Sequence, residues 1–429
     1  MRVLLSSYDC APTGGTESRL GWAFASHLGE LGHEVHLLTN TRNVDELRSA
    51  AGDLGTDRLQ ISFIESAPWI ERIPVMTWRL RYLAWQRAAL REARRIDRQF
   101  DADLVHHVSW TSLTGGSMLW KLGKPFVFGP IGGGQVAPAA FKRYFGDAWR
   151  AEHVRSLFQV GSVRLLPNVR SAVQHAEVVL AANRETRHLV EALGARRVRL
   201  TADVAVPDDL PIESIDETDL DQPISVLWVA RNLPCKALGL ALEAMAGVDE
   251  QVPARFEVIG VDGNEAAGLT AALGLTNRVT FTGYLPWDEV VDRMRAADVL
   301  LFSSLRETGG LQIVEAMACG MTVVALDHQG PSVLVDETCG VLVPVTTPEE
   351  ARLGLARAIT ELADDRPRLH QLRRAALERS RQLTWPKHVA AIAELYPAVA
   401  AGEGAPSRAT GMGPTGAGRL LGRLQSARR

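Results

Sequence analysis

Glu307 and Glu315 stand eight residues apart, with Gly309 and Gly310 between them. On one continuous helix they would lie about 12 Å apart, at roughly 1.5 Å per residue. A loop over the first part shortens that distance and lets both carboxylates face one cleft. The amides of Gly309, Gly310 and Leu311 open the helix that follows and have no partner within it, which suits an anion or sugar hydroxyls. Carboxylates accept from hydroxyls while free amides donate to phosphate, so the combination suits a polyhydroxylated anion such as a nucleotide sugar. A glutamate pair alone is more often a loop charge and an ion-pair partner, so the surroundings must decide. Arg231 and Lys236 supply the opposite charge directly after a strand. Two cations there can clamp a diphosphate and neutralise a leaving group. As mere surface charges at a helix start they would oppose the helix dipole.

Such residues need a frame that brings several loops to one place. Val299 to Phe302 reads as a buried strand, the helix carrying Glu315 stops at Gly320, and Thr322 to Leu326 is the next strand. In open sheets built from such units, ligands sit beyond the carboxyl ends of the strands. Upstream the pattern repeats, with strands at Ser225 to Ala230, Phe256 to Ile259 and Val279 to Thr282. Helices are expected from Lys236, near Ala266 and over Asp288 to Ala297. The chain opens with strand Val3 to Ser7, a loop holding Gly14 and Gly15, a helix from about Glu17 to Leu31, and strand Val35 to Thr39. That is a βαβ unit. Its loop is not G-x-G-x-x-G, and Thr39-Asn40 replaces the carboxylate that would hold a dinucleotide ribose, which speaks against a dehydrogenase. Further strands are expected at 103–108, carrying His106 and His107, at 126–131 ahead of Gly132, Gly133 and Gly134, and at 178–183.

Glu307-x7-Glu315, continued by Ala316-Met317-Ala318-Cys319-Gly320-Met321-Thr322-Val323-Val324, resembles the donor-binding motif of the family 4 retaining glycosyltransferases of GT-B fold. The family pattern is roughly P-S-x-x-E-x-F-G, then E-A-x-A-x-G-x-P-V-V. Ser303 stands for the first proline, Gly309 for the phenylalanine and Thr322 for the second proline. Arg231 and Lys236 match the cations of G-R-x-x-x-x-K-G, with Ala230 and Ala237 in place of the glycines. Gly14 and Gly15 match a loop that approaches the donor diphosphate, and Gly283, Tyr284 and Leu285 match a loop flanking the nucleobase. Gly129-Pro130-Ile131-Gly132-Gly133-Gly134 resembles the GPxGGG run of one bacterial subgroup. Some members place a histidine against the donor sugar, which assigns that role to His106, with His107, Gly132, Gly133 and Gly134 on the acceptor side.

The resemblance implies an α/β protein of GT-B type: two Rossmann-like, doubly wound domains facing across a cleft. Residues 1–205, completed by a helix at 385–400, would receive the acceptor. Residues 206–384 would bind the donor, and a disordered tail would occupy 401–429. The implied activity moves a hexose-type sugar from a nucleotide-diphosphate sugar, with UDP the expected nucleotide, to an acceptor hydroxyl with retention of configuration. Arg231 and Lys236 would stabilise the leaving diphosphate, Glu307 would hold sugar hydroxyls and Glu315 the ribose diol, without a cofactor or metal. The alternatives are an epimerase of the same fold and a nucleotide-sugar-binding protein without catalysis.

Length and composition agree with this frame. At 429 residues the chain is too long for one ordinary core. A net charge of −3 argues against a nucleic-acid partner. Cys10, Cys235, Cys319 and Cys339 have no C-x-x-C pairing and suit reduced, buried thiols. Asp101-Ala-Asp103 mimics a metal-binding D-x-D, a pattern common by chance. No apolar run approaches about 18 residues, so a cytoplasmic enzyme is expected, with a glycan, lipid or small-molecule acceptor. Between 76 and 100, Trp78, Tyr82, Trp85, Ala89 and Ile96 form one stripe backed by seven arginines. This reads first as a core-facing helix with a basic back, and second as a contact for the inner face of a membrane. Residues 203–223, with three prolines and clustered acids, read as a linker.

Overall fold

The computed structural model describes residues 1–65, 78–214 and 222–402. The start of the arginine-rich segment at 76–77, part of the expected linker (215–221) and the expected tail beyond 402 lie outside these residues.

Two parallel sheets organise the chain. The first holds β1 (Arg2–Ser7), β2 (Glu34–Thr39), β3 (Leu59–Phe63), β4 (Leu104–Ser109), β5 (Phe126–Ile131), β6 (Val178–Ala181) and β7 (Val198–Leu200). Its order is β3-β2-β1-β4-β5-β6-β7. The second holds β8 (Ile224–Val229), β9 (Ala254–Ile259), β10 (Val279–Gly283), β11 (Val299–Phe302), β12 (Thr322–Leu326) and β13 (Gly340–Val343), in the order β10-β9-β8-β11-β12-β13. Central strands such as β4, β5, β11 and β12 are buried along their whole length. Helices cover both faces, so these strands read as apolar runs instead of alternating.

Both sheets reverse direction at the same point. In the first it falls between β1 and β4, in the second between β8 and β11. The crevice at such a reversal is where doubly wound sheets take ligands. The four loops leaving these strands carry Gly14 and Gly15, residues 110–118, Arg231 and Lys236, and Glu307 to Gly310.

The end of the chain returns to the first sheet. Trp385, Val389 and Ile392 of the helix Trp385–Ala393 share a core with Leu20, Phe24 and Leu28 of the helix Thr16–Glu30. Val206 pairs with Thr384 in an isolated parallel bridge. The first part of the expected linker is firmly packed. Val204 and Val206 join the core of the second sheet, while Ala205 joins that of the first. Alternation at a period of two, usual for an extended strand, thus inserts this segment into both cores. In the arginine-rich helix Trp78–Phe100, Tyr82, Trp85, Ala89 and Ile96 are buried, as a core-facing stripe requires. All four cysteines are buried and unpaired.

Candidate active site

Arg231 follows β8 and is exposed, with no ion pair among the described residues. Lys236 ends a short 3-10 turn, Pro234–Lys236, and its ammonium pairs with Glu307 from the loop after β11. The Lys236 ammonium also lies 5.6 Å from the centre of the Phe302 ring. Ala237 then takes φ +50°, a left-handed conformation that glycine adopts more easily. Ser303 locks the two loops together. Its hydroxyl accepts from Trp228 Nε1 at 3.1 Å and lies 2.9 Å from the Lys236 carbonyl, to which it donates.

Gly309 and Gly310 are buried, and Gly310, at φ +103°, starts the helix Leu311–Ala318. Glu315 sits in that helix at 5% exposure, and its carboxylate has no hydrogen-bond partner among the described residues. Burial pushes its pKa up to about 8; the nearby Arg19 opposes the shift and Asp209 adds to it. On the opposite side, Gly14 and Gly15 are exposed at the start of the helix Thr16–Glu30, with Gly14 at φ +100°. Gly283, at φ +69°, ends β10, and the Tyr284 ring beside it is 74% exposed while Leu285 is half-buried.

Two expectations need correction. His106 does not face the cleft. It is fully buried, with Nδ1 2.7 Å from the Tyr396 hydroxyl and Nε2 2.6 Å from the Gly129 carbonyl. His107 is buried likewise between Ser6 Oγ, at 3.1 Å, and the Tyr82 hydroxyl, at 3.0 Å. Burial lowers their pKa values to about 4 and about 3, so both rings are neutral fasteners with no nitrogen left for a substrate. Gly132, Gly133 and Gly134 do not offer their backbone to an acceptor either. A Cβ on Gly132 would strike Thr308, one on Gly133 would meet Leu113, and one on Gly134 would strike the Glu185 backbone. Their amides donate to Thr111 O, Gln135 Oε1 and Thr186 Oγ1. The absent side chains let protein, not ligand, come close.

Several residues at the cleft escaped the sequence reading. Gln329, buried at φ +52°, accepts from the Glu307 amide at 2.7 Å and donates to the Val136 carbonyl at 2.9 Å. Gln135 donates across the cleft to Thr308 Oγ1, and Asn183 donates to the Thr308 carbonyl. Glu17 accepts from Thr111 Oγ1 at 2.7 Å, and burial still raises its pKa. Asp203 is 6% exposed, and its Oδ1 has no hydrogen-bond partner among the described residues. Burial, joined by the charges of Glu307 and Glu17, pushes its pKa up to about 7. Glu17 carried a sequence signal, since it directly follows Gly14-Gly15-Thr16. Asp203 owes its burial to the packing of residues 202–206 into both cores, which no local pattern announces.

A diphosphate-sized anion would meet Arg231, Lys236 and the amides opening two helices, while carboxylates beside them accept from hydroxyls. Residues 14–202 match the model of Glycosyltransferase Family 4, and residues 213–379 match that of Glycosyl transferases group 1. Each half of the chain is thus similar to a glycosyltransferase model of its own. The chain is 33% identical over 183 residues to D-inositol 3-phosphate glycosyltransferase of Streptomyces bingchenggensis, an alignment covering 40% of this chain and 39% of that relative. The chain thus spans about two fifths of that relative's length. It is 28% identical to 2-deoxystreptamine glucosyltransferase of Streptomyces kanamyceticus, covering 68% of this chain and 76% of the relative. Its fold is similar to sucrose-phosphate synthase of Thermosynechococcus elongatus, with TM-score 0.64 and 18% identity over 94% of this chain and all of the other. HepE of Anabaena, solved with UDP, aligns with TM-score 0.62 and 18% identity over 93% of this chain and all of its own.

Proposed function

We propose that the chain transfers a hexose from a nucleotide-diphosphate sugar, with UDP as the nucleotide, to an acceptor hydroxyl with retention of configuration. The observation that carries this reading is the Lys236–Glu307 pair, which joins the loop after β8 to the loop that leads into the helix Leu311–Ala318. Residues 1–205 with 385–400 receive the acceptor, and 206–384 hold the donor. Retention and the GPxGGG subgroup rest on the motif resemblance. UDP draws support from the HepE complex.

As the bond from the anomeric carbon to phosphate oxygen breaks, negative charge grows on the diphosphate. Arg231, Lys236 and the helix amides then bind it more strongly than they bound the donor, which lowers the barrier. The acceptor oxygen attacks from the face that the leaving phosphate vacates, and its proton passes to that phosphate oxygen. Glu307, steadied by Lys236 and by Gln329 on its amide, holds the sugar hydroxyls. Glu315 accepts from the ribose diol.

Calorimetric titration with UDP, GDP and ADP in EDTA tests the donor assignment. One nucleotide should bind, and Glu315→Ala should weaken it at least about tenfold, or 1.4 kcal/mol. No binding by any of the three would overturn the donor site. NMR of the product anomer tests retention, and an inverted configuration would refute it.

A further inference from the structure

Thirteen large apolar side chains are exposed among the described residues, and six of them come from two neighbouring segments: Leu80, Val154, Leu157, Phe158, Leu165 and Leu166. Leu165 is 82% and Leu157 60% exposed. A single exposed leucine is ordinary, but a cluster of this kind marks a contact surface. The two segments meet at a cavity of about 290 Å³ lined by Leu83, Phe158, Leu166 and Val169. Thr114 and Gly115, in the loop after β4, form part of its wall. The cavity therefore opens on the cleft side of the first sheet. Beside it the helix Trp149–Ser156 runs into a π turn, Leu157–Gly161, and a 3-10 turn, Ser162–Leu165. These irregular turns hold Leu157 and Leu165 outward.

The exposed charge around this patch is mostly positive. Residues 153–176 contain no Asp or Glu and hold Arg164 and Arg170, while Arg155 is paired with Glu152 just before them. Residues 78–91, of which Arg79, Tyr82 and Leu83 line the same cavity, contain no acid. Arg164 and Arg170 are exposed and make no ion pair among the described residues. Such one-sided charge stands out in a chain whose net charge is −3.

We propose that this face docks onto the surface of an anionic lipid bilayer. Leucines that water solvates poorly enter the interface, while the arginines meet lipid phosphates at headgroup level. Exposed apolar side chains flanked by Arg164 and Arg170, which make no ion pair among the described residues, complement that surface. Docking in this orientation would set the cleft beside the bilayer. The inference does not depend on the reaction proposed above, since it concerns a different part of the surface.

Sedimentation of the full chain with vesicles of phosphatidylcholine, alone or mixed with phosphatidylglycerol, tests it. The protein should bind the mixed vesicles at least about tenfold better than the neutral ones and lose that preference in high salt. Leu157→Asp combined with Leu165→Asp should abolish binding, and Arg164→Glu with Arg170→Glu should remove the anionic preference. Neither pair should move the thermal midpoint or nucleotide affinity. Absence of vesicle binding, or variants that bind like wild type, would overturn the proposal. So would a wild-type dimer that ignores vesicles and that the leucine variant dissolves, because the patch would then join two copies of this chain.

Discussion

Gln135 and Thr308 meet across the cleft: the Gln135 side-chain amide donates to Thr308 Oγ1 at 2.6 Å. Gln135 belongs to the loop after β5, and Thr308 lies one residue from Glu307. The same Gln135 accepts from the Gly133 amide, so one side chain fixes its own loop and grips the opposite one.

Gln135→Ala should therefore loosen the closed arrangement without touching the donor site itself. A hydrogen bond of this kind contributes on the order of 1 kcal/mol. We expect kcat/KM to fall by roughly three- to tenfold, with nucleotide affinity by calorimetry nearly unchanged. A larger loss of nucleotide affinity than of kcat/KM would show that Gln135 serves the donor and not closure.

Lys236→Ala removes the Glu307 counter-charge and one of the two cations facing the leaving group. Removal of a preorganised group of this kind lowers turnover by about 10²–10³. Glu307 would also lie near Asp203 without compensation, so Lys236→Ala combined with Glu307→Gln should be less than additive. Steady-state kinetics on the four proteins of this cycle checks both statements. Strict additivity would mean that the ion pair is incidental to turnover.

Much of this site was legible because its residues follow strands directly. Val299 to Phe302 and Thr322 to Leu326 are observed with the expected bounds, so the loop between them was placed from apolar runs alone. The alternation of strands and helices pointed to doubly wound sheets, and both take the same strand order. The histidines failed for an equally physical reason. A strand end carrying His106 and His107 looks the same in sequence whether the rings face ligand or core, and Tyr396, 290 residues away from His106, decides it. The Gly132 to Gly134 run failed similarly: small residues announce a close approach, but not what approaches. Asp203 and Gln329 become functional candidates only through contacts between distant segments.

Gly330→Ala tests the coupling between two such segments. A Cβ there would overlap the Gly309 carbonyl, which is backbone and cannot rotate aside. Gly330 has an ordinary negative φ of −56°, so the collision alone decides the outcome. The substitution should displace Gly309 and the helix start after it. We expect a loss of about 1–3 kcal/mol in denaturant-monitored stability, together with weakened nucleotide binding. Unchanged binding would mean that the amides of Gly309 to Leu311 do not contact the nucleotide.

Glu315 gives the sharpest dependence on pH. Its folded pKa is near 8 and its ordinary value is 4.5, with burial as the first cause. Below pH 4.5 the group is protonated in folded and unfolded chains alike, and its neutral form costs nothing extra. Between 4.5 and 8 the unfolded chain releases a proton that the folded chain keeps, so stability falls as pH rises, and it levels off above 8. Glu315→Gln stays neutral throughout. The variant should therefore gain on wild type from pH 4.5 to 8, measured as the difference in thermal midpoint. Asp203, raised to about 7, titrates in both proteins and cancels in that difference. A ribose diol donating to Glu315 would favour the carboxylate and drive the proton off. Nucleotide binding at pH 7 should then release close to one proton, detected as a dependence of calorimetric enthalpy on buffer ionisation heat. That release should vanish above about pH 9 and in Glu315→Gln. Binding without proton release in wild type at pH 7 would place the ribose elsewhere.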